Sequence, residues 1–217
     1  MYKNDDLLNQ AYNTNVTITS EILGMEVTLT KKEIGNIYLE TGHVVAIDPF
    51  VCYKPEAFLT TVPPGAYPVS ISVANFKDSF GTADNRVALA MLKFSDKKPV
   101  RWEMATTSEK QQAGLADLKP DGYYGYGVDT GTGCFMDKSV ADKIDADHET
   151  NYYEKFEDEF EANYVNTYSY MLTSAFGNEN KDYACFSSGF GDGSYPSYFG
   201  FAEDGTPCAL VTDFCLI

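Results

Sequence analysis

The sequence predicts an α+β protein: a mostly antiparallel β-sheet with one long amphipathic helix, at about 149–173, covering a sheet face. Two observations predict the sheet. Short β-branched runs alternate with polar residues and end at glycine or proline, and 14% of the residues are aromatic, mostly Tyr and Phe. A third observation predicts the helix, because an aromatic residue recurs at every fourth position from Phe156 to Tyr168.

Residues 16–48 are typical of an antiparallel meander that follows a polar N-terminal stretch. Residues 1–15 are polar, which predicts a flexible segment ahead of a single globular domain at 16–217. Alternating runs follow between Val16 and Asp48, and glycines such as Gly35 mark the expected breaks between short strands. Further strands are predicted at 67–74, 86–94 and 100–104, and the polar stretch 106–121 predicts a surface loop.

The predicted helix has two contrasting sides. Its aromatic stripe, typical of the side of a helix that faces a core, consists of Phe156, Phe160, Tyr164 and Tyr168. Its acidic side consists of Glu154, Glu157, Asp158 and Glu161. This acidic side belongs to the densest negative region of the chain. We therefore expect a basic partner, if there is one, to bind here.

A glycine-rich stretch near the C-terminus, FSSGFGDGSYPSYFGF at 186–201, raises the question whether it is an active-site loop or a turn between strands. It lacks the G-x-S-x-G pattern of a nucleophile elbow and the lysine of a phosphate-binding loop, so we expect a turn. Backbone angles closed to other residues are expected at Gly189, Gly191 and Gly193. Asp192 should tie the turn, while Tyr195 and Tyr198 either pack inside or present an aromatic recognition surface. A last hairpin is predicted around 203–205.

The net charge of −16 restricts the partners that the protein can bind. Nucleic acids and anionic membranes are held chiefly by cationic side chains, so neither is expected. A basic protein partner would be attracted and steered by this charge. The sequence begins without a basic and apolar leader, and no apolar run approaches the ~20 residues of a membrane span, so we expect a cytoplasmic protein.

The strongest catalytic candidates are four aspartates in glycine-rich or aromatic surroundings, namely Asp48, Asp129, Asp192 and Asp213. If these carboxylates converge, with His43 beside them, they could hold a divalent metal and act in a hydrolase. In the other interpretation each carboxylate caps its own turn, and this interpretation is favoured. The five cysteines are scattered and form no C-x-x-C pair, so no zinc site, redox motif or other cofactor is expected.

Several segments together resemble the bacterial domain-of-unknown-function family 4241. They are AIDPF (46–50), VPPGAYPV (62–69), VRWEMA (100–105), YGYGVDTGTGCFMD (124–137) and FSSGFGDGSYPSYFGF with its continuation to Phe214. The resemblance spans most of the chain from about Gly42 and implies no established activity. The positions that carry it are mostly glycines and aspartates, among them Asp48, Asp137 and Asp213, as a fold signature would be.

These observations predict a non-enzymatic protein-binding module of a bacterial cytoplasm, and an immunity protein that neutralises a toxin is one form of it. The residues expected to meet the partner are those of the acidic side, Glu154, Glu157, Asp158 and Glu161, together with Tyr195 and Tyr198. The alternative is a metal-dependent hydrolase built on the four aspartates and His43. A third hypothesis is a small-molecule or glycan-binding module in which Trp102, Tyr195 and Tyr198 line one cleft.

Overall fold

In the computed structural model, which describes residues 5–147, 152–174 and 181–217, two antiparallel sheets stack face to face between two layers of helix. In chain order the strands are β1 (Val16–Ser20), β2 (Met25–Leu39), β3 (Val44–Ile47), β4 (Gly65–Lys77), β5 (Ala83–Lys93), β6 (Arg101–Met104), β7 (Gly125–Val128), β8 (Thr132–Asp137), β9 (Tyr170–Thr173), β10 (Tyr183–Ser187), β11 (Gly193–Phe201) and β12 (Pro207–Asp213). The helices are α1 (Asp5–Asn9), α2 (Glu109–Gly114), α3 (Lys138–Ala146) and α4 (Tyr152–Ala162). The predicted β-rich, antiparallel α+β class is confirmed.

The larger sheet has the strand order β1-β2-β4-β5-β12-β11-β6. Strand β7 is its eighth member and shares one edge of β11 with β6, since β6 pairs with the second half of β11 and β7 with the first half. The smaller sheet has the order β3-β8-β10-β9. Of the meander predicted at 16–48, β1 and β2 pair as expected, but β3 joins the second sheet, and β4 takes its place beside β2.

Three apolar clusters hold the four layers together. The central cluster lies between the sheets and contains the fully buried rings of Phe135 and Phe186 and the almost fully buried ring of Phe199. A second cluster lies on the outer face of the larger sheet, where Leu8 packs with Trp102. A third lies between the outer face of the smaller sheet and the helices α3 and α4. Strands such as β8, β11 and β12 are thus covered on both faces, as their consecutive buried residues show, whereas β1, β6 and β7 leave residues exposed.

Strand β2 crosses a position where the sequence predicts a break. Gly35 has φ +135° and marks a bulge in the pairing with β4, so the strand bends instead of ending. A side chain at this position would meet the Leu172 side chain of β9 at 2.6 Å. The glycine therefore lets the two sheets approach each other closely.

Residues 5–12 are docked, which differs from the flexible segment predicted for residues 1–15; residues 1–4 of that prediction lie outside the described residues. Asp5–Tyr12 form α1 and a following 3₁₀ turn, and both Leu8 and Ala11 are buried against the larger sheet. The Asn9 side chain accepts a hydrogen bond of 3.2 Å from the Trp102 indole. Three buried apolar residues, Leu7, Leu8 and Ala11, are enough to anchor this polar stretch, because the sheet supplies a matching apolar face.

The polar stretch 106–121 contains helix α2 as well as loop. Ser108 caps this helix by accepting a hydrogen bond of 3.3 Å from the backbone N–H of Gln111. The surface-loop prediction is therefore corrected for six residues, whose local capping signal outweighs their polar composition.

The prediction of one long helix at 149–173 is wrong, because α4 ends at Ala162 and 170–173 form strand β9. Residues 149–151 of that prediction lie outside the described residues. Beyond α4 the chain turns at Thr167, which has φ +69°, and β9 then pairs with β10. Two short helices, α3 and α4, cover the smaller sheet instead. None of the helices in the described part of the chain combines the length and apolar character that a membrane span requires.

Candidate functional site

Asp48 is a buried carboxylate that holds a distant turn in place. It follows β3 directly, and it accepts hydrogen bonds from the backbone N–H groups of Asp129 (2.9 Å) and Thr130 (2.8 Å) and from the Thr130 hydroxyl (2.9 Å). It also caps its own turn by accepting from the N–H of Phe50 at 3.0 Å. Four donors thus converge on one carboxylate that is only 2% exposed. We call this contact the Asp48 pin.

Asp137 forms a matching contact at the other end of the same strand pair. It closes β8, and it accepts from the N–H and hydroxyl of Thr41 (each 2.9 Å) and from the N–H of Gly42 (3.1 Å). It caps α3 by accepting from the N–H of Ser139 at 2.9 Å. The side chain is fully buried. We call this contact the Asp137 pin.

The two pins are related by a local twofold arrangement that is visible in the sequence. Residues 41–48 (TGHVVAID) and 130–137 (TGTGCFMD) share the pattern T-G-x₅-D, and each aspartate binds the threonine of the other segment. The glycines of both segments have positive φ, +75° and +65°. Antiparallel pairing of Val44 with Asp137 and of Ile47 with Cys134 is the register that this symmetry requires. Repetition of this eight-residue pattern is the signal that could have predicted the pins.

The structure brings three of the four predicted catalytic aspartates to one turn, but as supports of the backbone. Asp48 accepts from the turn at 129–130, and Asp192 accepts from the N–H of Gly131 at 2.9 Å. Asp129 contributes its backbone N–H, while its side chain is exposed. Asp213 lies elsewhere, at the end of β12, and accepts from the N–H of Cys215 at 2.8 Å. The favoured interpretation, that each carboxylate caps its own turn, fits Asp48 and Asp213 but is wrong for Asp192, whose hydrogen bond goes to the turn between β7 and β8.

His43 does not join Asp48. The two residues flank the four-residue strand β3, so a rise of about 3.3 Å per residue separates their Cα atoms by about 16 Å. The imidazole side chain is exposed, at the end of the strand where the Asp137 pin lies. Across residues 5–147, 152–174 and 181–217, no three His, Cys, Asp or Glu side chains lie where they could share a metal ion. The hydrolase hypothesis therefore gains no support from the arrangement of its proposed residues.

The glycine-rich stretch is a turn between β10 and β11, as expected. Gly189 and Gly191 have positive φ, +57° and +117°, whereas Gly193 does not, because it already belongs to the extended strand β11, so the expectation is wrong for this glycine. The Ser188 hydroxyl donates to the carbonyl of Gly191 (2.8 Å), so it is engaged in the turn itself. The Tyr195 hydroxyl also donates to this carbonyl, at 2.7 Å. The hydroxyls of Ser188 and Tyr195 therefore stabilise the backbone of this turn.

Tyr195 and Tyr198 do not form the aromatic surface that a partner could meet. Their side chains are 6% and 0% exposed, because β11 is an inner strand with both faces covered. Trp102 packs with Tyr198 on the outer face of the larger sheet, whereas Tyr195 belongs to the cluster between the sheets. The hypothesis that these three residues line one cleft is therefore wrong.

An open cleft lies where the acidic helix α4 faces the turn held by the Asp48 pin. Its volume is about 600 Å³, and its lining combines two carboxylates, three aromatic rings and two threonines. The lining residues are Phe50, Thr130, Thr132, Glu157, Phe160, Glu161 and Tyr164. We call it the acidic cleft.

Aromatic packing sets the position of α4 beside this cleft. Phe50 contacts Phe156 edge-on, with ring centroids 4.5 Å apart, and Phe160 at 5.7 Å. Phe156 is buried, whereas Tyr164, which lies just beyond the end of α4, is 61% exposed. The predicted aromatic stripe thus passes from the core to the surface of the cleft. Its inner rings anchor the helix, and its outer rings remain accessible to a partner.

The cleft divides the predicted acidic side into two pairs. Glu157 and Glu161 line the cleft, one helical turn apart. Glu154 and Asp158 are exposed on the same helix but are not among the lining residues. The contribution of each residue to partner binding stays a prediction, but the two pairs supply a matched comparison on one element.

A second, smaller cavity of about 240 Å³ lies between strands β3, β7 and β11 and the loop after Asp48. Its walls include the rings of Phe58, Tyr124, Tyr126 and Tyr195, and we call it the tyrosine pocket. Burial is the main reason that the pKa of Tyr195 and that of Tyr126 lie above their ordinary value. Both phenols are therefore neutral at physiological pH, and the inner wall carries no charge from them.

Comparison with known proteins identifies a family. The family model described as a protein of unknown function (DUF4241) matches residues 37–212, in agreement with the resemblance carried by the sequence motifs. The matched range contains both T-G-x₅-D segments, the acidic cleft and the tyrosine pocket. Comparisons with curated proteins and with solved structures find no match. Because the match covers most of the chain, this protein belongs to the DUF4241 family.

Proposed function

We propose that this protein is a non-enzymatic binding module that holds a basic protein partner in its acidic cleft. The observation that carries the proposal is the combination, in one open cleft, of the carboxylates Glu157 and Glu161 with the rings of Phe50, Phe160 and Tyr164. The partner is expected to insert lysine or arginine side chains into this cleft.

Both halves of the lining favour a cation. Carboxylates form charge-assisted hydrogen bonds with ammonium and guanidinium groups, and such bonds are about twice as strong as neutral ones. Aromatic faces attract the same cations by about 0.5–2 kcal/mol, depending on how far the pair is removed from water. A Lys or Arg side chain also has an apolar stem that suits the rings. An anionic ligand would meet two carboxylates and no cationic lining residue.

The charge of the whole chain supports the same partner. A net charge of −16 speeds encounter with a basic surface and repels nucleic acid. Association that depends on this field weakens as salt rises, because the Debye length shortens from about 10 Å at 0.1 M to about 3 Å at 1 M ionic strength. Neutralisation of a basic toxin, as an immunity protein does, is the specific form of the proposal.

Two matched double variants test the site. E157Q/E161Q removes both carboxylates from the cleft, and E154Q/D158N removes two exposed carboxylates from the same helix. Each changes the net charge by the same amount. With octa-arginine and octa-lysine as probes, fluorescence anisotropy should show binding to the wild type that the cleft variant weakens at least tenfold. The control variant should weaken it less than threefold.

Equal losses in the two double variants would show that only the overall charge matters and would overturn the cleft as the site. The toxin-neutralising form has its own test. This form predicts that a neighbouring gene encodes a basic protein that arrests growth. Growth of a host that expresses this protein should be restored by the wild type and by E154Q/D158N, but not by E157Q/E161Q. Growth that stays arrested with the wild type would reject this form while leaving peptide binding as a separate result.

A further inference from the structure

We propose that the tyrosine pocket binds a small molecule with a single aromatic ring and an amide-like polar group. The pocket is a separate site, because no residue lines both it and the acidic cleft. The inference rests on three features: a glycine that the fold does not require, a wall of neutral rings, and polar groups at the rim that the protein leaves unused.

Gly127 is the glycine that the fold does not explain. Among the described glycines, five would place an added Cβ in open space, and four of these, Gly24, Gly81, Gly191 and Gly205, have a positive φ that favours glycine. Gly127 is the exception, since its φ is not positive and nothing lies within 4 Å of the added atom. It sits in the interior of β7, where glycine weakens a strand, and it lines the pocket. Gly127 is exposed where it lines the pocket, so we expect a side chain at this position to narrow the pocket.

The walls and the volume select a single ring. Phe58, Tyr124, Tyr126 and Tyr195 offer apolar faces and edges that favour another aromatic ring over a saturated one. A cavity of about 150 Å³ accepts benzene. The 240 Å³ of this pocket therefore accommodates one ring with one polar substituent and is small for a drug-sized ligand, whose pockets start at about 300 Å³.

Two lining side chains, Gln111 and Glu56, offer a donor and an acceptor that fit a carboxamide, while the ammonium group of Lys54, which also lines the pocket, lies 4.9 Å from the Tyr53 ring centroid. Thr107 engages one oxygen of Glu56 (2.8 Å) and the side-chain oxygen of Gln111 (2.9 Å from its N–H). This leaves the second oxygen of Glu56 and the amide NH₂ of Gln111 without a hydrogen bond to any described residue, and both side chains line the pocket. A ligand amide can donate to the carboxylate and accept from the Gln111 NH₂.

Benzamide and cyclohexanecarboxamide are the matched probes, because they share the amide and differ in the aromatic ring. Ligand-observed NMR with the full chain should show saturable binding of benzamide, with Kd on the order of 1 mM for so small a molecule. Cyclohexanecarboxamide should bind at least fivefold more weakly. Gly127→Leu fills the pocket and should abolish benzamide binding, and circular dichroism should show that this variant is folded.

Gly127→Ala is the second variant and separates binding from folding. The alanine restrains the unfolded chain and meets no atom, so it should raise Tm by about 2 °C while weakening benzamide binding at least threefold. A glycine kept for a structural reason would lower Tm on the same change. The proposal is overturned if benzamide does not bind, if both probes bind equally, or if Gly127→Leu binds benzamide as the wild type does.

Discussion

Replacing Asp48 by asparagine measures directly what the Asp48 pin contributes. The side chain is almost fully buried and accepts from three N–H groups and one hydroxyl at 2.8–3.0 Å. Asparagine keeps one acceptor oxygen but turns an NH₂ group toward the remaining donors, so about two of the four bonds are lost. At about 1.5–3 kcal/mol for a hydrogen bond to a charged group, the expected loss is about 4 kcal/mol.

Urea unfolding followed by circular dichroism checks this value. A loss of about 4 kcal/mol leaves most proteins folded at 25 °C, since unfolding free energies are typically about 5–15 kcal/mol. It should lower Tm by about 12 °C in a chain of this size. Asp129→Asn is the control, because this neighbouring aspartate has an exposed side chain and should change stability by less than about 0.5 kcal/mol.

The local twofold arrangement of the two pins leads to a second expectation about stability. Asp137→Asn should cost as much as Asp48→Asn to within about 1 kcal/mol, because Asp137 also accepts from three N–H groups and one hydroxyl. The pins lie at opposite ends of the β3–β8 pair, so the double variant should show nearly additive losses. Wild-type stability in Asp48→Asn, or an equal loss in Asp129→Asn, would refute the reasoning.

Three further changes test buried groups and backbone geometry. Burial raises the pKa of Cys52 to about 12 and also raises the pKa of Cys134. Because both thiols ionise near pH 8.5 in the unfolded chain, the free energy of unfolding should fall above that pH by up to about 1.4 kcal/mol per pH unit for each thiol. Urea titrations at pH 8 and pH 10 measure this fall. Burial, with a smaller contribution from the Asp213 carboxylate, raises the pKa of Cys215 to about 12. Iodoacetamide at pH 8 should therefore modify the Cys215 thiol about 50-fold more slowly than the thiol of a cysteine peptide, and mass spectrometry measures the two rates. Gly42→Ala should prevent folding, because the added Cβ would lie 1.8 Å from the backbone carbonyl oxygen of Val62. Gly24 has a similar φ but open space around it, so Gly24→Ala should lower the free energy of unfolding by only about 1 kcal/mol, as thermal melting would show.

The sequence predicts local structure here better than it predicts which residues meet. The alternation of apolar and polar residues identifies most strands. From the sequence, however, Gly35 is consistent with either the end of a strand or a bulge, and the reason for a bulge is the close approach of Leu172, which the sequence does not show. The aromatic period continues past the true end of α4 because Tyr164 lies at the surface, and Tyr168 belongs to the turn before β9. Pairing with β10 then outweighs helical periodicity.

The candidate sites show the same division. The acidic side of α4 is evident from composition, but its division into cleft and solvent residues depends on Phe50, which is more than a hundred positions away. The alternation of β11 cannot show whether Tyr195 and Tyr198 are exposed, because both faces of that strand are covered. Gly127 carries no signal by itself, since its meaning appears only when the space beside it is known.

The long separations bridged by the two pins have a consequence for how the chain reaches its native state. The partners are 82 and 96 residues apart, so forming either contact early in folding costs the closure entropy of a long loop. The pins should thus be absent at the rate-limiting barrier to folding and complete only afterwards. Their loss would then leave the refolding rate nearly constant and appear as faster unfolding, which makes them determinants of the protein's lifetime in the cell.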